Sequence, residues 1–352
     1  MRGMENMGTM SGMDHSMMDM NSSSDIVTLN YGMLRSTKKT TLPVAPTRVL
    51  HFNLTGNMNR YQWSINNTVL SDTDKILIQK GENVRIILNN QSMMRHPMHL
   101  HGHYFRVLNG EGDYSPLKNV IDIMPMEVDT IEFSAEYEGD WFFHCHILYH
   151  MMSGMGRVFS YANSQPNPQI DTIKNAWSTF LSDDKMWHFS TAIAAQSQGV
   201  FGKAMVMNRN YMFDVMGVVN YKGNYESEIH FARFIDRQQF LTFYVGSDIR
   251  SLPDAPHELV STSEKRAVAT LGVQYLLPLF LRSDLRIDHT GKVRFQIAKY
   301  DMALTSRLRF DGMWNTDKEY ELGLRYIATK RFSLSANYSF HFGYGAGITF
   351  TY

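Results

Sequence analysis

The sequence predicts an all-β protein in two parts, a Greek-key β-sandwich followed by an antiparallel transmembrane β-barrel of about twelve strands. Three observations predict it. Short β-rich runs alternate with turn signals over residues 26–161, as in sandwiches. Over residues 186–352 the runs lengthen and alternate strictly, apolar then polar. Between them, residues 162–185 are polar, contain Pro166 and Pro168, and show no strand alternation.

Residues 1–25 come first and resemble neither part. They are poor in sequence complexity, rich in Met, Ser, Gly and Asp, with methionines at 1, 4, 7, 10 and 13 and then Met17, Met18 and Met20. Such a segment cannot build a core. It reads either as a disordered leader or as a soft-metal tether in which thioethers and His15 meet copper. The sandwich strands are expected at Thr47 to Leu54, Tyr61 to Ile65, Lys75 to Ile78, Asn83 to Leu88, Phe105 to Leu108, Thr130 to Ser134 and Trp141 to His146. One short helix is expected around Ile173 to Leu181 in the polar linker.

In the second part the apolar face runs through Val293, Phe295 and Ile297, then Leu308 and Phe310, then Tyr320, Leu322, Leu324 and Tyr326. A soluble sandwich alternates too, so alternation alone decides little. Its repetition over nearly the whole segment, with aromatics near strand ends, favours apolar residues facing lipid and polar ones facing a lumen. Strand phase places Met212, Asp214 and Met216 on the polar face. Methionine as a flexible gap-filler accounts for that, and so does a methionine-lined copper route.

Composition bounds the function. Lys and Arg balance Asp and Glu at 34 each, and no long run of one sign occurs, so a nucleic-acid partner is set aside. No apolar run is long enough for a helical membrane span, and no basic and apolar export signal opens the chain. An exported protein of this sequence has lost its signal or continues a longer precursor. The 25 methionines and the single cysteine both point towards metal.

The cysteine stands in a dense neighbourhood. One cluster is His96-Pro-Met-His99-Leu-His101-Gly-His103, and the other is His144-Cys145-His146-Ile-Leu-Tyr-His150-Met-Met-Ser-Gly-Met155. On a strand, positions i and i+2 share a face, so His144 and His146 project together and Cys145 projects oppositely. One tripeptide therefore touches two sites. On the cysteine side His150 and Met155 return along the next loop and His96 arrives from the first cluster. Two imidazoles, a thiolate and a weak thioether make a blue-copper electron-transfer site. On the other face His99 and His101 can join His144 and His146 around further coppers.

These two motifs, over roughly Leu54 to Tyr161, resemble the multicopper oxidase family, specifically the third, cupredoxin-like domain of periplasmic copper-resistance oxidases. The resemblance implies His96, Cys145, His150 and Met155 at type 1 copper, His99 at type 2, and His101, His144 and His146 at the type 3 pair. It gives His103 no ligand role, leaving it a packed or supporting histidine. It also implies the reaction: electrons enter at Cys145, pass to His144 and His146, and reduce O2, with Cu(I) or an organic donor as reductant. The other half of the trinuclear ligand set comes, in the family, from two His-x-His pairs upstream. The remaining histidines, at 15, 51, 103, 188, 230, 257, 289 and 341, contain no such pair. The chain is then a part of a longer oxidase, or is completed by another chain, or works as a one-copper carrier.

Residues Trp187 to Tyr352 resemble the outer-membrane copper-resistance protein B family, through Tyr275-Leu-Leu-Pro278-Leu-Phe-Leu-Arg-Ser-Asp-Leu-Arg-Ile-Asp288, Trp314-Asn-Thr-Asp317 and Glu319-Tyr-Glu-Leu-Gly-Leu-Arg325. Together the two resemblances imply a copper-resistance protein whose barrel sits in outer-membrane lipid with its cupredoxin-like domain in the periplasm. A copper-binding anchor without turnover, and a soluble electron carrier with an all-β partner domain, are the alternatives.

Overall fold

The computed structural model describes residues 29–56, 60, 62–164, 176–251 and 265–352. The Met-rich segment 1–25 and the first residues of the expected linker helix lie outside the described residues. The architecture is all-β, with a two-sheet cupredoxin-like sandwich and a closed antiparallel barrel of twelve strands.

The first sheet orders its six strands as β2 (Trp63–Ile65), β1 (Thr47–Gly56), β4 (Asn83–Asn90), β9 (Val128–Ser134), β6 (Phe105–Val107) and β7 (Leu117–Lys118). The second orders five as β3 (Ile76–Ile78), β11 (Gly156–Tyr161), β10 (Asp140–Cys145), β5 (His96–Leu100) and β8 (Val120–Ile123). Most pairings are antiparallel, as expected. Two are parallel, β1 with β4 and β3 with β11, because the chain crosses between the sheets at β3 and returns running the same way. Alternate residues of the inner faces interdigitate: Leu54, Trp63, Ile86, Leu88, Met98, Leu100, Phe133, Phe143 and Phe159 are fully or almost fully buried.

Among the described residues between the two parts lie a short helix, Ala176–Phe180, and a 3-10 turn, Asp183–Lys185. The helix falls inside the expected range. Its Phe180 packs edge-on against Phe142 of β10, with centroids 4.9 Å apart.

The barrel runs β12 (His188–Gln196), β13 (Gly199–Met207), β14 (Tyr211–Asn220), β15 (Tyr225–Phe234), β16 (Leu241–Ser251), β17 (Lys265–Leu277), β18 (Leu281–Asp288), β19 (Val293–Ala303), β20 (Leu308–Asn315), β21 (Tyr320–Ile327), β22 (Phe332–Ser339) and β23 (Gly343–Thr351). Each strand pairs with its neighbours in sequence, and β23 closes on β12, so no edge is left open. The faces follow the expected phase. Phe231, Phe243, Val245, Leu271, Leu285, Leu322, Leu324 and Leu334 point outwards and are exposed, while Asp214, His230, Asp248, Arg250, Arg286 and Arg294 point inwards and are buried. That is a polar interior inside an apolar wall, the inverse of a soluble protein. Carboxylates and guanidinia pair across the interior, Arg250 with Asp248 and Glu319, and Arg286 and Arg294 with Glu228. A cavity of about 520 Å³ remains in the lumen.

At one barrel end the chain enters at His188, leaves at Tyr352, and turns through residues 208–210, 235–240, 278–280, 304–307 and 328–331. This end meets the sandwich. Arg209 reaches Asp72 at 2.9 Å and Ser71 Oγ at 2.8 Å, and Arg60 lies over the Phe240 ring at 4.4 Å. The longest connection, residues 252–264, belongs to the opposite end.

Candidate metal centre

Antiparallel pairing of β5 with β10 builds the site. His144 lies opposite His99 and Cys145 opposite Met98, and beyond the last pair the His146 amide donates to the Pro97 carbonyl at 2.6 Å. Because opposite residues share a face, Cys145 turns inwards with Met98 while His144 turns outwards with His99. The expected division of the tripeptide between two faces is what the sheet produces.

On the inner face, His96 Nδ1 lies 3.7 Å from Cys145 Sγ, His150 Nδ1 lies 3.6 Å from the same sulfur, and the two nitrogens are 3.1 Å apart. All three side chains are buried, and their ligand atoms lie within 4.8 Å of one another, close enough to hold one metal ion. His150 comes from a short helix, Leu148–Met152, that the sequence reading did not anticipate. After it, Gly154 adopts φ +113, and a Cβ there would come within 2.4 Å of the Val69 side chain. Only glycine lets the loop pass so close to Val69 and bring Met155 back into the core. Met155 is fully buried in the same core as Cys145, and its carbonyl accepts the Cys145 amide at 3.1 Å. Met151 and Met152 are only half-buried.

Two supports were not read from the sequence. Ser92 Oγ lies 2.7 Å from His96 Nε2, which fixes the proton on Nε2 and leaves the Nδ1 lone pair facing Cys145. Ser92 is itself held by Asn90 Oδ1 at 2.9 Å. The run Asn89-Asn90-Gln91-Ser92 just ahead of the first histidine cluster is the available signal, being turn-forming and rich in side-chain donors and acceptors. Trp63 stacks on His150 at 3.9 Å and meets His96 edge-on at 5.3 Å. Nothing in its local sequence marks it.

Burial sets the charge states. It lowers His96 to about 3, with the neighbouring His150 adding to the shift, and lowers His150 to about 4. Both are neutral, ligand-ready imidazoles at neutral pH. Burial pushes the Cys145 thiol up to about 12, so it keeps its proton until a coordinated cation displaces it. Two imidazole nitrogens and a sulfur converging in a dry core, with a thioether beside them, fit copper by donor chemistry.

On the outer face, His101 Nε2 and His144 Nε2 are 3.0 Å apart, and the rings of His99 and His101, and of His144 and His146, lie 4.8 and 5.8 Å apart. His99 Nδ1 donates to the Asn119 carbonyl at 2.7 Å and His144 Nδ1 to the Cys145 carbonyl at 2.9 Å, leaving a lone pair on each Nε2, which on His144 faces His101 Nε2. His144 is buried and lowered to about 4, chiefly by burial, whereas His101 and His146 are exposed. The four imidazoles are gathered but open on one side. His103 is no part of either group: its Nε2 meets Tyr161 Oη at 2.8 Å, and Phe133, Tyr137 and Trp141 stand edge-on around it.

Comparison with known proteins bears on this half of the chain. The family model described as multicopper oxidase matches residues 43–165. A copper resistance protein A homolog of Pseudomonas syringae pv. tomato is 38% identical over 129 residues, 37% of this chain and 22% of that protein. Copper resistance protein A of Escherichia coli is 39% identical over 112 residues, 32% of this chain and 18% of that protein. A solved structure, the McoA multicopper oxidase from Aquifex aeolicus, aligns over 36% of this chain and 31% of its own at 24% identity, with a TM-score of 0.30. The chain thus spans about a fifth of the length of the curated relatives it matches. Residues 43–165 match the multicopper oxidase family model, and this cupredoxin-like domain is similar in sequence to copper resistance protein A.

Proposed function

We propose that this is a copper-resistance protein in which residues 26–161 hold a type 1 copper at His96, Cys145, His150 and Met155 and present His99, His101, His144 and His146 as part of a trinuclear oxidase site. The observation that carries the reading is the convergence of His96 Nδ1, His150 Nδ1 and Cys145 Sγ in a buried core. Copper at the two faces supplies one-electron transfer and the reduction of O2, with Cu(I) or an organic molecule as donor. The chain's own residues do the rest. Ser92 and Trp63 hold the imidazoles in place, the packed core around Cys145 excludes water, and the backbone of His144-Cys145-His146 joins the two faces by a short bonded path.

The outer face supports the expectation that the set is shared. Its four imidazoles are open on one side, and outside the two clusters, His96 to His103 and His144 to His150, no His-x-His pair occurs in the sequence given. The complementary ligands therefore come from an upstream segment or another chain. The barrel, residues 186–352, serves as an outer-membrane anchor. Its closed apolar wall supports that role. The sandwich is then periplasmic.

Copper-loaded chain alone should retain one tightly held ion in its cupredoxin-like domain and oxidise Cu(I) or a phenol far more slowly than a complete oxidase. Adding upstream domains with two His-x-His pairs should restore turnover. A coupled three-copper cluster in the purified monomer would contradict the shared set, and no gain on completion would favour a copper-sequestering anchor without turnover. Met155→Leu should keep the blue colour and raise the reduction potential, because a weak axial thioether stabilises Cu(II) more than a non-ligating side chain does. An unchanged potential measured by redox titration would remove Met155 from the ligand set.

A further inference from the structure

Inside the barrel a buried imidazole is hydrogen-bonded at only one of its two ring nitrogens. His230 on β15 is 3% exposed. Its Nδ1 lies 3.3 Å from Asp214 Oδ2 and donates there, which leaves a lone pair on Nε2. Nε2 has no hydrogen-bond partner, and the Glu228 carboxylate stands off at 3.9 Å. Buried polar atoms are almost always partnered, so an orphaned imidazole nitrogen calls for something that binds a lone pair.

Methionines stand on the neighbouring strands of the same face. Across the strands, Met205 lies opposite Asp214, Asp214 opposite His230, and Met207 opposite Met212, so all share the lumenal face. Met212 and Tyr244 form a small buried cluster with Ala232, Met205 and Met207 pack against it, and the Tyr244 ring stands edge-on to His230 at 4.5 Å. Glycines make room for the two rings. A Cβ at Gly246, opposite His230, would come within 2.7 Å of imidazole Cδ2, and one at Gly272 would come within 2.2 Å of the Tyr244 ring. Methionines as pliable filler would explain the sulfurs but not the orphaned nitrogen beside them.

We propose that His230, with Met205, Met207 and Met212, forms a binding site for a soft monovalent cation, Cu(I), at the lumen end that faces the sandwich. Thioethers and imidazole suit Cu(I), whereas hard divalent ions prefer oxygen ligands. Asp214 plays the part of the carboxylate that fixes a ligating imidazole through its other nitrogen. The site shares no residue with the cupredoxin-like domain and stands whether or not that domain holds copper.

The test uses the full chain in detergent, titrated anaerobically with Cu(I) against a chromophoric chelator. His230→Gln and the volume-conserving pair Met207→Leu with Met212→Leu should each bind one Cu(I) fewer than the unsubstituted protein. The Met-rich segment 1–25 is common to all three and cancels. The blue absorption of Cu(II)-loaded protein should be the same in all three. A full Cu(I) complement in both variants overturns the site, and so does Zn(II) displacing that one equivalent at matched concentration. Should His230→Gln lose the heat-modifiable gel migration of a folded barrel, the methionine pair alone decides.

Discussion

Cys145→Ser should abolish the intense blue absorption of the copper-loaded protein, while His146→Ala, at the next residue, just past the end of β10, should leave it. Cys145 is the only cysteine in the sequence, so no second thiolate can replace it as the source of sulfur-to-Cu(II) charge transfer. His146 shares its peptide bond but lies on the outer face, exposed, among His99 and His144. A serine hydroxyl in this fully buried position costs on the order of 1–3 kcal/mol if unpartnered, so circular dichroism should accompany the spectrum to show that the sandwich persists. A blue band surviving in folded Cys145→Ser would mean that the inner-face ligands are misassigned. Loss of the band in His146→Ala would mean that the two faces are not separate sites.

The division between faces was legible because it needs only period-two geometry and the positions of three residues. The strand that makes it work was less so. β5, His96-Pro-Met-His-Leu, carries a proline and two histidines and has no run of β-branched or aromatic residues; its pairing with β10 overrides local preference. The helix bearing His150 is five residues long and is held by tertiary contacts rather than by propensity. Trp63 acts across chain separations that no local pattern encodes, whereas Ser92 stands only four residues before His96. In the barrel the opposite holds, since each strand pairs with its sequence neighbour and phase, face and strand number all follow from alternation. What alternation could not give was the seat of the sandwich on the barrel turns through Arg209 and Arg60, contacts between residues more than a hundred positions apart.

Leu324→Arg should block barrel assembly, and Arg325→Leu should largely permit it. Leu324 lies mid-strand on the outer wall, 46% exposed, with Tyr320 and Tyr326 outward at the strand ends where aromatics meet the lipid interface. Its cross-strand neighbours Phe310 and Ala336 are apolar and offer a charge no partner. With the wall in lipid as proposed, an arginine there would face hydrocarbon and cost about 2–4 kcal/mol near the midplane, a large fraction of a domain's net stability. Arg325 faces the lumen, where it pairs with Asp301 at 2.6 Å and approaches Asp311 at 3.9 Å. Removing it leaves two carboxylates on a polar, accessible face, with no change in the lipid-facing surface. The two substitutions exchange the same residue types in opposite directions at adjacent positions, so only the face distinguishes them. Heat-modifiable migration and detergent-dependent solubility of the full chain read the outcome. If both variants assemble equally, and the protein is monodisperse without detergent, the outer wall does not face lipid and the outer-membrane role is withdrawn.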